Sequence, residues 1–369
     1  MCDFGKNDRG PSYVTLVSWG KMEPNGPKMS ELSNLEWVMR SPSLVRPTLP
    51  EIITDEECQR WFTNGAKAFE ALKLDQRPLE EFLQLHRKSG RLGSLFETLL
   101  GFWLERLLKV DGLAHGVAIR EGRSTVGELD FIFRWPAPDK IAAALSHAEH
   151  WEVAVKFFMC IAPTPEQAVR SETFVGQALA DRLDRKLGLS LEKQLPLARD
   201  PRAKETLAAR GFSGPISSRL FFKGRLFYPM DWSWRKVQAP PEVSLNHDRG
   251  WWLAWSGGSS LEHLRETAER AEAHAPSAER RWVLLGKEHW MGRVEFSEGD
   301  QLQALEDPDL LEKLDQHFSV SKNAIQVARV ERRSDGAWAE MDGDSGVGRG
   351  MILIPGWPES VLRTKVDSG

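Results

Sequence analysis

The sequence predicts a mixed α/β protein in which helices come first and a sheet follows. Between residues 55 and 110 apolar side chains recur at the three-and-four spacing of helices that bury one face. From residue 115 the pattern changes to short segments rich in β-branched and aromatic residues, which is typical of strands. The chain has 369 residues, 41% of them hydrophobic, enough for a sizeable core in one large domain or two modest ones.

The N-terminal part is expected to be a loose tail followed by two helices. Residues 1–30 are rich in Gly, Pro, Asn and Lys and lack sustained periodicity, so the fold should begin near Leu35. A helix is predicted over 55–74, with Asp55 as its cap. A longer helix is predicted over 79–110, where apolar residues form one continuous face.

The next part should form a compact unit of three strands, a helix and a further strand. The first two strands are joined by a short Glu121-Gly122-Arg123 connection that predicts a hairpin. Residues 135–149 link the second strand to the third and include an alanine-rich helical piece. The predicted strands are His115–Arg120, Thr125–Phe133, Trp151–Met159 and Arg219–Tyr228, with a helix over 174–187 before the last.

Tryptophan usage separates a C-terminal region, 246–369, from a domain predicted over 31–245. The chain has 15 Trp against 2 Tyr, and seven of the Trp lie between residues 232 and 290. Gly250–Trp255 resembles a packed strand, so we expect these indoles in the core or between the two regions rather than stacked on bases. Further predicted elements are helices over 261–273 and 301–317 and strands over 281–286, 324–331 and 351–354.

Cysteine usage and hydropathy bear on the compartment. Three scattered cysteines are too few for a disulfide framework or a structural zinc site, so a reducing interior and the cytoplasm are expected. No export signal is apparent, and no run of eighteen apolar residues is free of charge, so no membrane association is expected. The sequence leaves the oligomeric state open.

Charge is unevenly distributed along the chain. The formal net charge is −4, which argues against a protein that coats nucleic acid. Residues 181–225 nevertheless hold eleven basic against five acidic side chains, and residues 295–316 hold eight acidic side chains against one lysine. A local basic surface beside an acidic lobe is therefore predicted, and the basic one suits phosphate contacts.

Charged residues inside otherwise apolar elements mark the candidate site. In the strand that contains Gly127-Glu128-Leu129-Asp130, alternation puts Glu128 and Asp130 on one face. In the next strand Glu152 and Lys156 share a face. Glu97 lies at the edge of the apolar face of the long helix. Because charges amid apolar residues are costly without partners, we expect these groups to meet in one cleft.

Clustered carboxylates predict a divalent cation. Carboxylates brought close together repel unless they are protonated or bridged by a cation, and hard oxygen ligands suit Mg²⁺ or Mn²⁺. Asp130, Glu97 and Glu152 are the predicted ligands, and Lys156 is predicted to position water or stabilise developing charge. Such a set fits the hydrolysis of a phosphodiester in nucleic acid.

These motifs resemble those of the PD-(D/E)xK phosphodiesterases, and more closely those of a bacterial family called domain of unknown function 1853, thought to be a distant branch of that superfamily. The resemblance implies a restriction-endonuclease-like mixed sheet flanked by helices, with the Trp-rich α+β region as an extension. It says less about nuclease activity than about the fold, since the family has no settled role. The landmarks are residues 34–42, Phe96-Glu97, 127–130, 152–156, 176–184, 224–229, 250–252 and 289–292.

One departure from the superfamily pattern leaves two functions open. The signature places an acid two residues before the lysine, and here that position is Ala154. Glu152 would then serve as a migrated acid, with Glu128 as a further oxygen donor. The first hypothesis is a metal-dependent nuclease, with DNA favoured over RNA and with Gln177 and Arg182 as supporting residues. The alternative is an inactive member that binds nucleic acid or protein.

Overall fold

A computed structural model of the chain describes residues 29–137, 147–275, 277–341 and 346–361. The predicted tail therefore lies outside the described residues except for its last two positions, which begin the first helix. The alanine-rich piece predicted between the second and third strands falls mostly on residues 138–146, which also lie outside them.

In the described part of the chain four α-helices precede the sheet: α1 (Met29–Arg40), α2 (Asp55–Leu74), α3 (Arg77–His86) and α4 (Leu92–Phe102). The cap of α2 is Thr54 rather than Asp55: Thr54 accepts from the Glu57 amide, and the Glu57 carboxylate accepts from the Thr54 amide. Asp55 instead accepts from the Ser43 amide, 2.6 Å away. The predicted cap was thus wrong by one residue.

The long helix predicted over 79–110 is two helices, so that prediction was wrong in its extent. The chain leaves helical geometry at Arg87, and α4 begins after a polar segment that contains Ser89 and Gly90. The apolar face itself is as predicted, and α4 continues through a π-helical turn, Trp103–Leu107. The buried members of this face are Leu95, Phe96, Leu99, Leu100, Trp103, Leu104 and Leu107.

The described residues form one large mixed sheet of eleven strands. Its order is β1-β2-β3-β5-β6-β11-β9-β10-β8, with β4 beside β3 and β7 beside β9. The strands are β1 (Asp111–Glu121), β2 (Ser124–Arg134), β3 (Ala148–Cys160), β4 (Phe174–Val175), β5 (Ile216–Pro229), β6 (Asp248–Ala254), β7 (Arg280–Leu285), β8 (Glu295–Phe296), β9 (Ile325–Arg332), β10 (Trp338–Glu340) and β11 (Arg349–Leu353).

Further α-helices among the described residues flank this sheet: α5 (Leu183–Leu189), α6 (Ala203–Ala208), α7 (Gly258–Glu272) and α8 (Asp307–Val320). Helix α5 runs on through a π-helical turn, Ser190–Gln194. The helix predicted over 174–187 starts too early, because Phe174–Val175 pairs with β3 and the chain then folds back at Gly176. The Gly176 amide donates to the Asp181 carbonyl, 2.9 Å away.

The centre of the sheet is parallel and its flanks are antiparallel. The pairs β3–β5, β5–β6 and β6–β11 are parallel, and all the other strand pairs of the described sheet are antiparallel. The β5–β6 ladder, which begins with Arg225 opposite Asp248, crosses the domain boundary predicted at residue 245. The two predicted regions therefore share one hydrogen-bonded sheet.

Most of the clustered tryptophans pack inside the molecule. Trp251 is fully buried, its indole N–H donates to the Val347 carbonyl at 2.9 Å, and its ring lies against Gly350. A Cβ at Gly350 would lie 2.1 Å from that ring, so this contact requires glycine. The buried indoles of the stretch are Trp234, Trp251, Trp255, Trp282 and Trp290, as expected for core residues.

Candidate active site

The candidate site lies where β2 and β3 separate. The two strands pair from Arg134 opposite Ala148 to Phe131 opposite Trp151, and the ladder ends at that last pair. One residue further on, Asp130 Oδ2 accepts from the Val153 amide at 2.9 Å. The side chain of Asp130 thus takes over a backbone hydrogen bond at the point where the strands part.

Asp130 and Glu152 form an interacting pair of carboxyl groups at this point. The Glu152 side chain is only 1% exposed. Burial, and then the charge of Asp130, raise the pKa of Glu152 to about 8, although Lys186 opposes the shift. Burial also raises the pKa of Asp130, and the charge of Glu97 adds to that effect. The pair therefore holds a proton near neutral pH and carries negative charge that a cation would relieve.

The ammonium that neighbours the pair belongs to Lys186 on α5. Its Nζ donates to Glu152 Oε1 at 3.2 Å and to Gln194 Oε1 at 2.9 Å. Ser190 Oγ donates to the same Gln194 oxygen at 3.3 Å. The three polar residues, each four apart in sequence, project from one side of α5 and its π turn toward the sheet.

Glu97 lies beside the carboxyl pair, nearer to solvent. Its side chain is 38% exposed, and Oε2 lies 3.4 Å from His115 Nε2. The His115 ring stacks on Phe131, with 4.6 Å between centroids, which places this pair next to Asp130 in the sheet. The structure thus brings Asp130 and Glu152 together and leaves Glu97 at the side.

The donor set suits a hard divalent cation held by few protein ligands. Among the residues that the structure describes, no three His, Cys, Asp or Glu side chains are grouped to hold an ion. Mg²⁺ characteristically binds one or two carboxylates, keeps several waters and shares substrate phosphate oxygens. Asp130 and Glu152 provide two such carboxylates, so the residues present fit this mode.

Lys156, the predicted lysine of the site, forms an ion pair with Asp181. Asp181 lies in the loop that returns from β4 to α5, and the Asp181 and Lys156 side chains are 41% and 31% exposed. On β5 the residue opposite Lys156 is Gly224, where a Cβ would lie 2.0 Å from the Lys156 carbonyl oxygen. Close strand approach at this position therefore depends on glycine.

The three predicted supporting residues have their contacts elsewhere. Glu128 lies beside Gly116 and Lys88, on an exposed part of β2. Gln177 Oε1 accepts from the Ala324 amide at 2.9 Å, which ties the loop after β4 to the start of β9. Arg182 forms a two-point ion pair with Asp184, at 2.6 and 2.7 Å.

Much of the basic charge in residues 181–225 is compensated within the fold. Lys223 is buried and donates to the Ser41 carbonyl, and Arg225 is buried against Asp248. The basic surface is therefore smaller than the sequence count predicts. The residues of this segment that pair with carboxylates are Arg182, Lys186, Arg202, Arg219 and Arg225.

Sequence reasoning missed the roles of Lys186 and Gln194. Lys186 was one of the eleven basic residues counted in the segment 181–225, and Gln194 was not among the predicted site residues. The available signal was the spacing of Lys186, Ser190 and Gln194, which places three polar side chains along one helical face. Their distance in sequence from Glu152 gave no indication of the contact.

Fold and site together define a mixed α/β protein with a carboxyl pair and an ammonium at the split of two strands. The family model named Domain of unknown function (DUF1853) matches residues 33–352, and the chain belongs to this family. No curated protein matches the chain, and no solved structure matches it. Within the described ranges, none of the helices has the length and apolar character needed to cross a membrane.

Proposed function

We propose that the protein is a metal-dependent phosphodiesterase that hydrolyses nucleic acid, a distant relative of the PD-(D/E)xK nucleases with a restriction-endonuclease-like core. One observation carries the proposal. Two buried carboxyl groups, Asp130 and Glu152, interact where adjacent strands part, and the Lys186 ammonium lies 3.2 Å from one of them. The free, buried Cys58 and Cys160 agree with a reducing compartment, and we propose the bacterial cytoplasm.

Asp130 and Glu152 are the proposed ligands of Mg²⁺ or Mn²⁺. When bound, such an ion polarises a phosphodiester oxygen and lowers the pKa of a bound water. The Val153 amide fixes the orientation of the Asp130 carboxylate, and the Lys186 and Asp130 groups flank Glu152. Glu97, the third predicted ligand, is proposed to act from the side through water or substrate.

Two lysines are candidates for stabilising charge on the phosphate. Lys186 is in contact with Glu152, whereas Lys156 is paired with Asp181. We propose Lys186 for this role because its ammonium already lies at the carboxyl pair. Lys156 remains the candidate from the sequence, and replacing each lysine separately distinguishes them.

Exposed basic side chains near β1 and the start of α4 are proposed to hold the nucleic-acid backbone. Lys88 lies beside Gly116, next to the strand that carries His115, and Arg91 is exposed at the start of α4. Lysine and arginine side chains supply the salt-dependent part of nucleic-acid affinity. DNA is the proposed substrate ahead of RNA, as the superfamily resemblance implies.

A second candidate function is supported by the same lysine. Lys186 already supplies positive charge at Glu152, so the carboxyl pair is partly neutralised without a metal ion. In that case the protein is an inactive member of the nuclease fold that binds nucleic acid or another protein. Ala154, at the usual acid position, agrees with this alternative.

The deciding experiment is a Mn²⁺-dependent cleavage assay on single-stranded, duplex and branched DNA, with RNA in parallel. The active-site variant is Asp130→Asn, whose side-chain oxygen can still accept from the Val153 amide. The matched control is Glu266→Gln, at an exposed carboxylate of α7 away from the pair. Cleavage by the native protein and the control, lost in Asp130→Asn, is expected. Absence of cleavage on every substrate would favour the inactive alternative.

A further inference from the structure

We propose that Lys186 is a displaceable counter-ion, which occupies the place on Glu152 that a divalent cation takes and withdraws to Gln194 when the cation binds. The inference rests on the proposed function, since it concerns how the same carboxyl pair is regulated. Its consequence is that cation affinity is set by competition with a side chain of the protein itself.

The position of the ammonium supports competition. Lys186 Nζ approaches Glu152 Oε1 to 3.2 Å, and the two side chains are 14% and 1% exposed. An ammonium and a divalent ion on one buried carboxylate repel each other strongly, because little water screens them. A cation that binds Glu152 therefore has to move Lys186 away from that oxygen.

Gln194 gives the displaced ammonium a second acceptor. The Lys186–Gln194 contact, at 2.9 Å, is shorter than the contact with Glu152. A lysine ammonium has three N–H donors and rotates freely, so it can keep one partner while it loses another. Only a small movement is needed for Lys186 to leave Glu152 and stay hydrogen-bonded.

The acceptor is itself held in place by the helix. Ser190 is fully buried, and its hydroxyl donates to Gln194 Oε1 at 3.3 Å. The π-helical turn Ser190–Gln194 brings residues 186, 190 and 194 to one side of α5. Such turns are frequent at functional sites, and here the turn aims an amide oxygen at the lysine.

The test is calorimetric titration of Mn²⁺ into the full-length protein and two variants with opposite expected effects. Lys186→Met removes the competitor and should tighten Mn²⁺ binding about tenfold. Gln194→Leu removes the second acceptor and should weaken Mn²⁺ binding to a similar extent. Lys193→Met, at an exposed lysine of the same helix, is the charge-matched control and should bind Mn²⁺ as the native protein does.

Misfolding cannot imitate this pattern, because damage to the site around Asp130 and Glu152 would weaken Mn²⁺ binding in both variants. If the native protein binds Mn²⁺ and Lys186→Met binds it equally or more weakly, the inference is overturned while the proposed metal site stands. Mn²⁺ binding seen only in Lys186→Met would support it. No Mn²⁺ binding in either the native protein or Lys186→Met would overturn the inference and the proposed function together.

Discussion

Lys186 donates to Glu152 across 3.2 Å, from a helix that follows the carboxylate by thirty-four positions in the chain. Glu152 is buried next to Asp130, and its pKa is raised to about 8 in spite of that lysine. Burial and the like charge of Asp130 thus outweigh the effect of one ammonium, so further positive charge at this point would stabilise the ionised carboxylates.

Glu152→Gln should stabilise the metal-free protein in alkaline solution. A raised carboxyl pKa contributes stability below the unfolded pKa of 4.5, and that contribution is lost as the pH rises through about 8. Glutamine imitates the protonated form, since its oxygen can accept from Lys186 and its N–H can donate to Asp130. Thermal unfolding with a chelator should show a Tm gain of about 2 °C or more above pH 8. An equal Tm gain near pH 4.5 would show that the raised pKa of Glu152 is not its cause.

Gly224→Ala should destabilise the protein by about 3 kcal/mol or more, because the new methyl group would overlap the Lys156 carbonyl oxygen between β3 and β5. The matched control is Gly93→Ala in α4, where nothing lies within 4 Å of an added Cβ. That change should stabilise by up to about 1 kcal/mol. Denaturant unfolding measures both, and equal effects would show that the close strand approach does not restrict residue 224.

His247 should make the protein sensitive to acid. Burial lowers the pKa of His247 to about 4, and the neutral ring accepts from Tyr228 Oη at 3.0 Å. A depressed histidine pKa favours protonation of the unfolded chain, so stability is lost as pH falls from 6.5 toward 4. The loss is about 3 kcal/mol.

His247→Gln should remove that part of the pH dependence. His150, whose pKa burial also lowers to about 4, remains in the variant, so the slope should shrink rather than vanish. Denaturant unfolding at several pH values measures the two slopes. Parallel stability curves for the native protein and the variant would count against the assignment.

A fragment that ends at residue 245 should not fold on its own. Arg225 is buried and pairs with Asp248 at 3.1 Å, and Trp37 Nε1 donates to the same carboxylate at 2.9 Å. Loss of β6 would leave the buried guanidinium of Arg225 without Asp248 and would expose the edge of β5, an inner strand of the sheet. We expect residues 31–245 to lack a cooperative thermal transition that residues 29–361 retain. A sharp transition in the shorter fragment would show instead that the boundary separates independent domains.

The local pattern of the sequence predicted most of the fold. Alternation located β2, β3 and β5, and the apolar spacing located α2 and the buried face of α4. Periodicity did not predict the break between α3 and α4, because both helices carry apolar residues at the three-and-four spacing. It also missed β4, whose two residues gain their strand geometry only from pairing with β3.

The candidate site was predictable where its residues lie on adjacent strands. Asp130 and Glu152 meet because the register of β2 and β3 places them at one level, and charged residues in apolar strands signal this. Lys186 reaches the pair through packing of a distant helix, which no local pattern encodes. Lys156 has the charge and spacing expected of the site, but the fold around Gly176 supplies Asp181 as its partner.

The central claim, that Asp130 and Glu152 bind a divalent cation, is tested most directly by calorimetric titration of Mn²⁺ into the native protein and Asp130→Asn above pH 8. Asparagine keeps the hydrogen bond from the Val153 amide and removes only the charge. We predict one Mn²⁺ per chain for the native protein and affinity at least about tenfold weaker for the variant. Equal affinities, or no binding by the native protein, would contradict the account.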